Sequence, residues 1–191
     1  VIITASLGVL KSGVINFTPS LPSKKQQAIQ SLGMGQGLKA VIRFNKRLWP
    51  TRLKYILDCD QHILYMISTY HVYDFSMVAF ITDEMISKKS DKQVEEIIRN
   101  SLNVVFSDSD INACLIEIMV HNWSNQKYFD GIYSYDKVGS IGCRKILAES
   151  ISNKIYFAGE ATIDGFFASV DGAILSGERA AQEIIGETST L

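Results

Sequence analysis

The residues most suited to chemistry lie between Ile155 and Ala181, IYFAGEATIDGFFASVDGAILSGERAA. An apolar run, Ile155-Tyr156-Phe157-Ala158, leads into Gly159-Glu160, and a loop then delivers Ser169-Val170-Asp171-Gly172 at the start of a helical pattern. Helix N-termini carry free N–H groups and positive potential. Such an end suits a cofactor group that gains negative charge in a reaction. Gly159 and Gly172 would let backbone approach a ligand closely. A strand, a loop and a Ser-capped helix are also an ordinary crossover. The residues alone leave both readings open.

Other constellations carry less. Gly33-x-Gly35-x-Gly37 has the wrong spacing for a dinucleotide loop and sits in the order helix, glycines, strand. It reads as a helix stop and turn. Cys59, Cys114 and Cys143 are odd in number, far apart and outside any C-x-x-C pair. His62, His71 and His121 show no metal-ligand spacing either. All six read as packing or surface residues, with no metal site. The cysteine usage suits a reducing, cytoplasmic compartment.

The elements that must hold these residues are readable from pattern. Val1-Ile2-Ile3-Thr4 reads as a strand, and Leu7 to Gly13, with two glycines, as a loop. Pro22 to Leu32 reads as a helix with Pro in its first turn. Leu38 to Phe44 is strand-like, and 53–59, 62–70 and 76–82 follow as β-rich runs of an antiparallel meander. Ser90 or Asp91 caps a helix with Val94, Ile97, Ile98, Leu102 and Val105 at helical spacing. Cys114 to Val120 reads as a strand, and 123–135 as aromatic and irregular. The last helix starts near Ser169, with Val170, Ala173, Ile174, Gly177, Ala181 and Ile184 along one face. The class is α+β, with first and last strands of buried, parallel type.

Composition is that of a globular chain: 191 residues, 47% hydrophobic and 20% charged, with 19 basic against 20 acidic side chains. The balance gives no general pull on nucleic acid or anionic lipid. No apolar run approaches the roughly 18–20 residues of a bilayer crossing. The chain opens on a strand, without an initiating Met, as if its beginning were missing.

Four ordered stretches resemble the FAD-dependent amine oxidases, the family of monoamine oxidases, polyamine oxidases and flavin-dependent histone lysine demethylases. FAGEAT followed by SVDGAILSGERAA resembles their C-terminal flavin-binding signature. VIITASLGVLKSG resembles V-I-V-T-x-P-L-G-V-L-K, and LGMGQGLKAVIRF with Trp49-Pro50 resembles L-G-x-G-x-x-x-K with its following F-W-P. Trp123 with Gly131-Ile132-Tyr133-Ser134 resembles W…G-x-Y-S. Residues 52–115 match only in pattern.

The resemblance implies a role for each position. Lys39 would match the lysine that reaches flavin N5 through a water and assists reaction with oxygen; read bare, it is a strand-edge lysine with a solvated head. Trp123 would lie against the isoalloxazine, and Tyr133 would form one wall of the amine pocket. Glu160, after Gly159, would contact the sugar-phosphate region of FAD, and Ser169-Val170 would present the helix end to the flavin ring. The implied fold is a substrate domain of mixed sheet plus helices, with the closing strand and helix of an FAD-binding Rossmann-like domain. The implied boundaries are 1–13 on the FAD side, 14–122 for the substrate domain and 123–191 for an incomplete FAD segment. The missing partner is the N-terminal half with the dinucleotide fingerprint. The substrate implied by the resemblance is an amine, oxidised to an imine with oxygen as acceptor.

Departures sharpen the expectation. Ile132 stands where animal monoamine oxidases carry the cysteine that bonds FAD, so the flavin is expected to be non-covalent. Ser169, in place of a second cage tyrosine, resembles the polyamine-oxidase and demethylase branch. Ser6 replaces the usual Pro, and Thr82-Asp83 replace a small Gly-rich stretch. Two rival readings remain: a non-catalytic fragment kept as an interaction module, and a related flavoprotein oxidase. An amino-acid substrate would need a pocket arginine, for which Arg43, Arg47, Arg52 and Arg144 are available.

Overall fold

The computed structural model describes residues 1–68 and 75–188. His71 and the end of the second β-rich run, 69–70, lie outside them. In chain order the elements are β1 (Ile2–Ile3), α1 (Leu7–Ser12), α2 (Ser23–Ser31), β2 (Gly33–Met34), β3 (Leu38–Phe44), β4 (Tyr55–Asp58), β5 (Ile63–Ile67) and β6 (Ser76–Ile81). Then come α3 (Glu84–Ser87), α4 (Asp91–Val105), α5 (Ile111–Cys114), β7 (Leu115–Asn122), β8 (Ser134–Tyr135), α6 (Cys143–Ala148), β9 (Tyr156–Phe157) and α7 (Val170–Thr188). The fold is α+β. It clusters into two compact units, one of residues 1–35 and 126–191, the other of 36–125. Residues 14–35 therefore group with the chain ends, and 123–125 with the central unit.

In the first unit, β1 and β9 pair in parallel, Ile2 opposite Tyr156 and Ile3 opposite Phe157. The parallel pairing agrees with the sequence, but only β9 is buried; Val1 and Ile2 are exposed. The stretch read as a loop from Leu7 is a helix instead. Ser6 caps it, its Oγ accepting from Val9 N at 3.2 Å, and Gly13 ends it in the left-handed region. Gly8 sits inside that helix because a Cβ there would meet the Asp130 carbonyl oxygen at 2.3 Å. Gly33 likewise does more than end α2: Gly33–Met34 forms a short antiparallel pair with β8.

The buried face of α7 differs from the expected stripe. Gly172, Ser176 and Ala180 face inward, whereas Val170, Ile174 and Ile185 are exposed. Small side chains let the helix lie close to β9. Ala180 packs with Tyr156 and Ala158, and Ser176 Oγ accepts from Gly159 N at 2.8 Å.

The second unit is a five-stranded antiparallel sheet in the order β4-β5-β6-β3-β7. Strict alternation buries Leu38, Ala40, Ile42 and Phe44 on one face of β3 and exposes Lys39, Val41 and Arg43 on the other. The buried face packs in one core with α4, whose Val94, Ile98 and Leu102 have no exposure. Each such side chain contributes roughly 1.5–3 kcal/mol by leaving water. Of the two cap candidates Ser90 and Asp91, Ser90 is the cap of α4, and Gln93 completes a capping box with it. Asp83, one of the departures from the family pattern, caps α3.

Candidate cofactor site

A cavity of about 310 Å³ opens in the first unit where β1 and β9 end. Parallel strands leave their C-terminal ends free for ligands, because the following loops diverge there. Thr4, Ala5 and Ser6 follow β1 into the lining, and Ala158, Gly159 and Glu160 follow β9. Met34, Phe129 and Ile132 supply apolar walls. Gly159 has φ 133°, a conformation that disfavours a side chain, and nothing lies within 4 Å of where its Cβ would be. Backbone is thus bare at the cavity.

Glu160 is held by its own unit. Oε1 accepts from Ser134 N at 3.0 Å, while Oε2 accepts from Ser134 Oγ and from Ala168 N, both at 2.7 Å. Ala168 adopts φ 58° just before the cap of α7. Ser169 is that cap: its Oγ accepts from Gly172 N at 3.0 Å and donates to Phe166 O at 2.6 Å. Gly172 is obligatory there, since a Cβ would sit 1.9 Å from Phe166 O.

Of the residues singled out from sequence, Gly159 and Glu160 line the cavity. Ser169 and Val170 begin α7, whose Ala173 also lines it. Val170 is exposed, and Tyr133 is half-buried beside the lining residue Ile132. Lys39 and Trp123 belong to the second unit and meet through one residue. Lys39 pairs with His121 across β3 and β7, and the His121 ring packs edge-on to Trp123 at 4.3 Å. Lys39 is not at a strand edge, because β3 has β6 on one side and β7 on the other. Its Nζ lies 5.5 Å from the Phe80 ring.

None of the four candidate arginines lines the 310 Å³ cavity. Arg43 pairs with Glu117, and Arg144 pairs with Asp136 at 2.9 Å. Sequence reasoning missed Ser6, Met34 and Phe129 in the lining, residues from three separate stretches that only the folded chain gathers. All three cysteines are free thiols, and no group of metal-ligating side chains occurs among the described residues. No helix among them is long and apolar enough to cross a membrane.

Residues 1–185 match the family of flavin containing amine oxidoreductases. Among curated relatives, lysine-specific histone demethylase 1 homolog 1 of Oryza sativa is 32% identical over 97% of this chain, which covers 23% of that protein. Polyamine oxidase 2 of Arabidopsis thaliana is 31% identical over 95% of the chain and 38% of its own length. The fold is also that of the cyclohexylamine oxidase of Brevibacterium oxydans, at a TM-score of 0.80 and 20% identity, over 98% of this chain and 43% of that one. The chain thus spans less than half the length of these relatives. It belongs to the family of flavin-containing amine oxidoreductases.

Proposed function

We propose that these residues are the C-terminal part of an enzyme that oxidises an amine, a polyamine or monoamine, with non-covalently bound FAD. The observation that carries the reading is the apolar cavity at the ends of β1 and β9, with Gly159 bare at its surface. When bound, FAD supplies a hydride acceptor at N5, so that the amine becomes an imine and oxygen, taking the electrons, becomes hydrogen peroxide.

Residues of the first unit suit the cofactor. A carboxylate offers about four acceptor positions. Glu160 gives three of them to Ser134 and Ala168, which leaves one on Oε1 for a sugar hydroxyl. Ser169 and Val170 present N–H groups at the start of a 19-residue helix, where negative charge is stabilised. Ile132 in the lining offers packing and no sulfur. Tyr133 is assigned a wall of the amine site, where an aromatic face excludes water and attracts a cation.

The second unit is assigned the substrate side. Trp123, steadied by His121, would cover the flavin ring, and Lys39 would hold a water and a fixed positive charge for the reaction with oxygen. The 191 residues alone are proposed not to turn over, since no dinucleotide fingerprint occurs among them. The test is anaerobic addition of a polyamine, a monoamine and a methylated lysine peptide to the full-length protein. Bleaching of the visible flavin band by the first or second supports the proposal. A flavin that no amine bleaches, or a full-length protein without flavin, sinks it.

A further inference from the structure

Arg144, on α6, is 2% exposed and reaches both β8 and the segment that leads into α7. Its Nε donates to Asp136 Oδ1 at 2.9 Å and its Nη1 to Ser134 Oγ at 2.7 Å. Nη1 also approaches the Ala161 carbonyl at 3.4 Å, and the guanidinium lies 3.9 Å over the Phe167 ring. Nη2 is buried without a hydrogen-bond partner. Burying a guanidinium this way costs stability unless other contacts offset it.

The contacts form a continuous path. Arg144 fixes the Ser134 hydroxyl, which donates onward to Glu160 Oε2. That same oxygen accepts from Ala168 N, which sits in the left-handed region. Arg144 therefore grips two successive residues, Phe167 by stacking and Ala168 through Ser134 and Glu160. The next residue is the cap of α7, and Phe166 O is wedged against Gly172. The loop has no slack between Arg144 and the first turn of the helix.

We infer that Arg144 is a positioning residue: through Ser134, Glu160 and Phe167 it sets where the first N–H groups of α7 stand. The consequence for flavin rests on the function proposed above, in which those N–H groups face a ring that becomes negative on reduction. A helix end that slips stabilises that charge less, and the reduction potential falls. Lysine keeps the charge of Arg144 but loses the planar fork and the stack.

Two measurements on full-length protein test this, with Arg144→Lys and, because a buried arginine variant can fail to fold, Ser134→Ala, which cuts the same path with little change in volume. The first is amide hydrogen exchange of flavin-stripped protein. Exchange across 163–171 should accelerate about tenfold or more, as expected for loss of a charge-assisted hydrogen bond, while α2 and α4 stay at wild-type rates. The second is the midpoint potential of the loaded protein, which should fall. Unchanged exchange at 163–171 overturns the inference, as does faster exchange throughout the chain, which marks a merely structural arginine. Faster local exchange with an unchanged potential also overturns it. A wild-type protein that binds no flavin refutes the proposed function instead, and the exchange measurement then decides the positioning role alone.

Discussion

Lys39 and His121 face each other across β3 and β7, so the lysine stands in the middle of a sheet with a histidine as its registered neighbour. A lysine so placed, beside Phe80 on one strand and His121 on the other, has a constrained stem and an exposed head. In the full-length protein, Lys39→Met should slow reoxidation of reduced flavin far more than it weakens amine binding. Stopped-flow mixing of reduced protein with oxygen isolates that step. A lysine with no part in the reaction would leave the rate unchanged and alter stability by about 0.5 kcal/mol at most.

Ile132 lines the cavity with a branched hydrocarbon. Flavin should therefore leave the full-length protein on acid or heat denaturation and appear in the supernatant. Yellow colour that stays with the denatured pellet would contradict the assignment.

Two glycines of α7 should respond oppositely to alanine. Gly172→Ala drives a methyl against Phe166 O and should destabilise by about 1–3 kcal/mol, as overpacking does. Gly177→Ala meets nothing within 4 Å and should stabilise by about 0.5–1 kcal/mol through helix propensity. Thermal unfolding of the two variants gives the sign of each. Equal effects would mean that the loop before α7 yields.

Lys25 is buried, and its Nζ donates to the carbonyls of Ile146, Leu147 and Glu149 at 2.6–2.8 Å, closing the C-terminal end of α6. Lys25→Met strips those carbonyls of a donor and should cost about 1–3 kcal/mol at neutral pH. Burial pushes the ammonium from 10.5 down to about 8, against the pull of Glu149. Between those values the unfolded chain holds a proton that the folded chain has released, so the contribution of this group to stability rises with pH across that window. Below about 8 both states are protonated and the contribution is flat. Unfolding from pH 7 to 10 should thus widen the gap between wild type and variant. Parallel pH profiles would refute it.

The legible parts of the fold are those decided locally. Ser90 with Gln93 and the spacing of Val94, Ile98 and Leu102 define α4 before any neighbour is considered. Alternation does the same for β3. What stayed hidden was decided across the chain. Gly8 reads as a loop residue until the carbonyls of Phe129 and Asp130 are seen against it. The inner face of α7 runs through Gly172, Ser176 and Ala180, because close approach to β9 favours small side chains over the isoleucines that hydrophobicity ranks first. Gly159 and Glu160 were readable as a strand-end pair. The path from Arg144 to Ala168 was not, since its links span 8 to 26 residues of sequence.

The pairing of β1 with β9 also bears on how the chain is made. Ile2 waits for Tyr156, more than 150 residues later, whereas every strand of the five-stranded sheet lies within 36–125. During synthesis the sheet unit can close while the C-terminal segment is still inside the ribosome. The cavity-bearing unit cannot, and β1 must remain unpaired until β9 has emerged. Loop-closure cost falls on that last docking step. For that whole interval the backbone groups of β1 that β9 later pairs would stay an open strand edge, available to aggregation or chaperone capture.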